Sequence, residues 1–244
     1  MIQKTQGIVL HSFKTGETSL VARVLTRELG LQSYLVPGVR KPRARIRQHL
    51  FRPLTIVDMV VYHKEKEGLQ RIREIHCPQP FESIPYHIAK SSIAIFLAEM
   101  LTRSLQKQQS SPSLFDFACE ALRLLDQTTG KTADFHLVFL MQLSRFLGFQ
   151  PRDNYDPRHP FFNLREGVYQ DRPGQDQSCL NKELSLHFRS LMNTGIHDLP
   201  ELSVPGGLRR ALLQKTIDYY SYHLDGMQEI RSHSVLEMVL NEKT

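Results

Sequence analysis

The constraint that most limits the fold of this chain is a series of five short β-type runs packed into its first eighty residues. Residues 5–13 (TQGIVLHSF), 19–25 (SLVARVL), 31–36, 54–62 (LTIVDMVVY) and 69–76 (LQRIREIH) are rich in Ile, Val and Leu. Turn residues separate them at 14–17, 26–30 and 64–68. In the second run Leu20, Ala22 and Val24 alternate with Val21, Arg23 and Leu25, so one face is wholly apolar and the other carries Arg23. Runs this close leave no room for crossover helices, and the pattern predicts a small closed antiparallel barrel of the OB-fold type.

After Cys77-Pro78-Gln79-Pro80 the apolar period lengthens from two to that of a helix. Helices are expected over 86–108, 114–125, 133–147, 181–192, 208–224 and 235–240, with Pro85 at the entry of the first and Gly148 ending the third. Between them, residues 149–178 lose periodicity and gather Pro, Asp, Asn, Gly and Arg. A short hairpin built from Phe161-Phe162-Asn163-Leu164 and Gly167-Val168-Tyr169-Gln170 is expected there. The fold class is therefore α+β: an OB-fold barrel at 1–80, then a helical domain at 81–244 with an irregular insert at 149–179.

Charge is unevenly placed on this plan. Up to Pro80 the chain holds fourteen Lys and Arg against six Asp and Glu, although the whole molecule carries a formal charge of only +6. The excess peaks in Gly38-Val39-Arg40-Lys41-Pro42-Arg43-Ala44-Arg45-Ile46-Arg47, where five cations occur without an acidic residue. Gly and Pro make this segment a loop, and a solubilising turn needs only one or two charges. Five on a short connection suit a polyanion such as nucleic acid. Phe13, Tyr34 and Phe51 lie in or beside the barrel runs, and an aromatic ring beside a basic groove can stack bases. Tyr34, which flanks the loop and carries a hydroxyl, is the one expected to be exposed.

Other chemistry finds little support. The P-loop, G-x-G-x-x-G, G-x-S-x-G and H-E-x-x-H patterns do not occur. No C-x-x-C or H-x-x-x-H pair is present among the eleven histidines and three cysteines, so no metal or other cofactor is expected. Asp153, Asp156, Asp171 and Asp176 lie in a Pro-rich loop and read as turn residues rather than as a nuclease's metal ligands. Pro205-Gly206-Gly207-Leu208-Arg209-Arg210 could hold a phosphate at a helix start, or simply open an ordinary helix. Cys77, Cys119 and Cys179 are odd in number and far apart, which favours a reducing compartment. No membrane-spanning run, signal peptide or lipidation motif is read, and the expected location is cytoplasmic and nucleoid-associated.

Taken in order, Gly7-Ile8-Val9-Leu10, Gly16-Glu17-Thr18-Ser19, Thr26-Arg27-Glu28-Leu29-Gly30 and Gly38-Val39-Arg40-Lys41 resemble the N-terminal domain of the RecO family of bacterial recombination mediators. Phe146-Leu147-Gly148-Phe149, Tyr222-His223-Leu224 and Arg231-Ser232 extend the resemblance through the helical part. It implies a non-enzymatic protein that binds single- and double-stranded DNA and anneals complementary strands. It also implies partnership with RecR, contact with the acidic tail of single-stranded DNA-binding protein (SSB), and help in loading RecA onto SSB-coated DNA. By position, Arg40 and Lys41 match the family's basic pair, Arg43, Arg45 and Arg47 extend it, and Arg23 lies on the same barrel. Arg103 and Arg145 are the candidate cations for the SSB tail, because Leu137 and Val138 stand where some relatives carry basic residues. Many members hold zinc through cysteine pairs after the third helix. Here residues 149–178 contain no cysteine and Cys179 stands alone, so the metal is expected to be absent and Phe161, Phe162, Leu164 and Tyr169 to hold the insert by packing. The rival to the DNA-repair reading is an OB-fold module bound to RNA or the ribosome; a nuclease and an adaptor that binds an acidic protein tail are further alternatives.

Overall fold

The Ile-, Val- and Leu-rich runs form β1 (Ile2–Thr15), β2 (Ser19–Thr26), β3 (Gly30–Val36), β4 (Ile56–Tyr62) and β5 (Gln70–His76). The computed structural model describes residues 1–64, 68–105, 110–174, 178–227 and 230–241. The expected turn at 64–68 thus lies largely outside the described residues, and the expected helix end at 106–108 and Asp176 lie wholly outside them. The strands close into a barrel in the order β1-β2-β3-β5-β4, with β4 returning to β1. This is the OB-fold arrangement. One junction, β3 with β5, is parallel, through Tyr34 with Gln70 and Leu35 with Arg71. An all-antiparallel ring is impossible here: alternating strand directions cannot close around an odd number of strands.

β1 is long because it serves two neighbours. Residues from Ile2 to Ile8 pair with β4, and those from Gly7 to Thr15 pair with β2. The strand bends where the two pairings overlap, helped by a register shift between Val9 and His11. Gly7 sits at this crossing because a Cβ there would lie 2.6 Å from Val24 Cγ1 and 2.8 Å from Met59 Cε. The barrel interior holds Val9, Leu20, Ala22, Val24, Tyr34, Val36, Val57, Met59 and Val61, together with Val39 and Phe51 from the connection that follows β3. Val21 and Leu25, on the opposite face of β2, are buried as well.

Two compact units make up the chain, Met1–Gln127 and Thr128–Thr244. In the first, α1 (Ile88–Ser104) lies against β1, and α2 (Pro112–Gln127) is tied to the β2–β3 turn by a two-pronged pair, Arg27 to Asp116 at 2.9 Å on both oxygens. The entry to α1 is fixed from α2. Both carboxylate oxygens of Asp126 accept backbone N–H groups, from Glu82 at 2.9 Å and from Ser83 and Ile84 at 2.8 Å. The Lys90 ammonium donates to the Asp126 carbonyl at 2.8 Å.

The second unit is built around α3 (Phe135–Phe146), whose Leu137, Val138, Phe139 and Leu140 are fully buried. A helix apolar on all sides is a central one. It ends at Gly148, whose φ of 83° suits the left-handed turn that a helix stop requires. The hairpin of β6 (Phe161–Asn163) and β7 (Val168–Gln170) follows, then α4 (Lys182–Asn193), α5 (Gly206–His223) and α6 (Ser232–Asn241). The insert is held by aromatic packing: Phe162 meets Tyr169 edge-on at 4.9 Å and Phe188 at 4.7 Å between ring centroids. Leu164 is fully buried, while Phe161 is only half-buried under the Lys182 ammonium.

Asp126 yields a stability prediction. Partial burial pushes its carboxyl up, but the three amides and the Ser83 hydroxyl outweigh this and hold it below the usual carboxylate range. A depressed folded-state value stabilises the protein above the unfolded-state value near 4 and is lost as pH falls below it. Asp126→Ala should cost about 2 kcal/mol at pH 7 in urea unfolding, and the cost should shrink toward pH 3.

Candidate nucleic-acid interface

The connection from β3 to β4, residues 37–55, carries the basic run and is pinned at several points. Gly38 takes φ 68° and opens a turn closed by the Lys41 N–H on the Gly38 carbonyl at 3.1 Å. A second turn follows, with the Ala44 N–H on the Lys41 carbonyl at 3.1 Å. Val39 is buried in the barrel core, and Ile46, Leu50 and Phe51 pack with it, the last two in a short 3-10 helix at Gln48–Phe51. From the barrel side, the Ser12 hydroxyl donates to the Phe51 carbonyl at 2.9 Å. Arg40 is fixed to the β1–β2 turn, its N–H reaching the Thr18 carbonyl at 3.1 Å and its guanidinium the Glu17 carbonyl at 2.9 Å.

These anchors leave the charged side chains outside. Arg40, Lys41, Arg43, Arg45 and Arg47 are all exposed, and so is Arg52 just beyond them. In the stretch Arg43-Ala44-Arg45-Ile46-Arg47 the cations point to solvent while Ala44 and Ile46 are partly covered. Among the described residues none of these six forms an ion pair with a carboxylate, whereas Arg27, Arg189, Arg209 and Arg210 each do. The cationic field over this loop is therefore uncompensated and open to an anionic ligand.

Arg23 sits on the outer face of β2, half-buried, opposite His11 on β1 and Ser33 on β3. Its guanidinium is held below the ordinary arginine value, chiefly by burial and further by the positive charge of Arg103 on α1. Two neighbouring cations of this kind are eased by an anion between them. Arg145 is an exposed residue of the last turn of α3 and donates to the Gln142 side chain at 3.0 Å.

Tyr34 departs from expectation. It is fully buried inside the barrel, and its hydroxyl finds no hydrogen-bond partner among the described residues. Its neighbours in register are Ala22 and Gln70, so β3 turns this ring inward and faces Ser33 and Leu35 outward. Phe51 is buried as well; the exposed aromatic of the three is Phe13, with 49% of its surface accessible. The start of α5 is no phosphate cradle. Arg209 binds Asp134 at 2.6 Å and the Val204 carbonyl at 3.1 Å, and Arg210 pairs with Glu237 at 3.1 Å, so both guanidinium groups are engaged within the protein.

A family model described as Recombination protein O N terminal matches residues 1–81, and one described as Recombination protein O C terminal matches residues 85–231. The chain belongs to the RecO family. Among its relatives, the DNA repair protein RecO of Flavobacterium psychrophilum is 34% identical over 98% of this chain and 99% of its own length. That of Bacteroides fragilis is 34% identical over 97% of this chain and 98% of its own. The RecO of Phocaeicola vulgatus is 32% identical over 97% and 98%. The protein is thus a DNA repair protein of the RecO family, and none of these descriptions names a catalytic activity.

The zinc that the family resemblance implies for many members does not fit the residues after α3. Asp153 is engaged by Arg189 at 2.8 Å and Asn193 at 2.9 Å, and Asp156 by the Arg158 N–H and His159. Cys179 meets the Gln170 side-chain amide at 3.6 Å, and no group of three or more His, Cys, Asp or Glu converges among the described residues. A hydrophobic aromatic cluster occupies this part of the fold.

Two features of the site escaped the sequence reading: Arg52, and the anchoring of the loop by Val39 and Ile46. The signal for the second was present as apolar residues spaced between the cations. Because the Tyr34 hydroxyl is buried without a partner among the described residues, Tyr34→Phe should leave DNA affinity unchanged and raise unfolding stability by about 1 kcal/mol, measured by urea titration alongside oligonucleotide binding.

Proposed function

We propose that this RecO-family protein is a DNA-binding recombination mediator in gap and double-strand break repair. It binds single- and double-stranded DNA, anneals complementary strands and, with RecR, helps to load RecA on SSB-coated DNA. It works in the cytoplasm at the nucleoid and breaks no bonds. Residues 1–80 serve as the nucleic-acid-binding domain and residues 81–244 as the helical domain that receives partners. The observation that carries this reading is the row of exposed cations, Arg40, Lys41, Arg43, Arg45 and Arg47, which have no carboxylate partner among the described residues and stand on a loop fixed to the barrel.

The mechanism follows from charge. Two DNA strands repel through their phosphates, and cations that neutralise a backbone lower the cost of bringing a second strand close. Contacts to phosphate leave the base edges free, so pairing itself selects the complement. The acidic tail of SSB meets Arg103 or Arg145, which keeps the mediator on the strands that need annealing. No helix among the described residues is long and apolar enough to cross a membrane.

The test is annealing of two complementary oligonucleotides, each precoated with SSB, across a salt series and without nucleotide. The protein should accelerate annealing at low salt, and the gain should fade as salt rises. Alanine at all five loop cations should reduce the acceleration by about tenfold or more while leaving the fold intact by circular dichroism. Binding without annealing, or stronger competition by structured RNA than by DNA, would contradict the proposal.

A further inference from the structure

Alternate residues of a strand share a face, and register extends that face across the sheet. Phe13, Val21 and Leu35 are partners on β1, β2 and β3, and His11, Arg23 and Ser33 form the adjacent row on the same outer surface. Val21 is buried and Leu35 half-buried, but Phe13 and His11 both stand exposed, their rings 6.0 Å apart and inclined by 31°.

A single exposed aromatic ring is ordinary. The setting of this one is not. Toward one end of the face lies the like-charged pair Arg23 and Arg103. Toward the other is the β1–β2 turn, to which Arg40 brings the basic loop through the Glu17 and Thr18 carbonyls. None of the six residues of the face is acidic. A flat apolar ring between two cationic regions matches a chain whose backbone is anionic and whose side groups are flat and apolar-faced. In a duplex those faces are already stacked on one another. Only unpaired bases can use the ring.

We propose that Phe13, flanked by His11, is a stacking platform for an unpaired base of single-stranded DNA whose phosphates lie along the 40–47 loop. The inference rests on the DNA-binding reading above and deepens it: charge alone makes the loop tolerant of any strand, and the platform gives this chain a preference for unpaired ones. Phe13 is a binding residue in this account and touches the base directly.

The sequence contains no tryptophan, so Phe13→Trp introduces a single indole, excited apart from the eight tyrosines, at the proposed contact. Its emission is read while an oligo-dT and an abasic oligonucleotide of equal length and charge are titrated in, with anisotropy of the labelled strand reporting binding separately. Quenching by oligo-dT and not by the abasic strand is the expected result. Phe13→Ala and Phe13→Leu should each weaken oligo-dT binding by about fivefold or more, leave abasic binding and the salt slope unchanged, and be rescued by Phe13→Tyr. Unquenched emission with salt-dependent anisotropy would overturn the platform and leave the loop standing. No binding of either strand by the unaltered protein would overturn both.

Discussion

Closure of the barrel by apolar residues of the 37–55 connection is the constraint on which the cationic surface depends. Five cations on one short loop repel one another, and a loop free to relax would spread them into solvent. Val39 and Phe51 in the barrel core, with Ile46 and Leu50 packed beside them, prevent this by fixing the backbone between the charges. Full burial of side chains such as Val39 and Phe51 contributes about 1.5–3 kcal/mol each, enough to oppose repulsion among exposed charges in high-dielectric surroundings. The same residues complete the core of the barrel. The protein therefore cannot fold its first domain without presenting the cationic row.

That arrangement shapes the chemistry available. A fixed row of cations offers phosphates a surface prepared before the ligand arrives, so less order has to be imposed on binding. Contacts to phosphate carry no sequence information, which suits the proposed role in gap repair. At the platform proposed on the β1–β3 face, stacking on a ring would be equally indifferent to which base is present, because every base has a π-face. The second unit follows a different logic, with a central apolar helix and an aromatic cluster that packs the hairpin following it.

Much of this was legible in the sequence, for physical reasons that differ by element. The barrel strands show as β-branched runs between turn residues, and the hairpin of β6 and β7 shows through Phe162 and Tyr169 flanking Gly167. The basic loop was legible because charge needs no tertiary context. Tyr34 was not. On β3 Gln32 shares its inward face, so alternation alone leaves the phase open, and pairing with Ala22 and Gln70 decides it. The engagement of Arg209 and Arg210 was not legible either, because their partners, Asp134 and Glu237, are far away in sequence and only folding brings them near. The tie from Asp126 to residues 82–84, which sets the start of α1, is equally invisible to periodicity.

The central claim, that a prepared row of cations holds DNA through its phosphates without reading bases, is tested most directly by the salt dependence of binding. The affinity of the unaltered protein for oligo-dT and for a mixed-sequence strand of equal length should be measured across a salt series. If the five loop cations all engage phosphates, the slope of log K against log salt should be about −3.5 for both strands. A slope shallower than about −1, or slopes that differ strongly between the two sequences, would contradict the account.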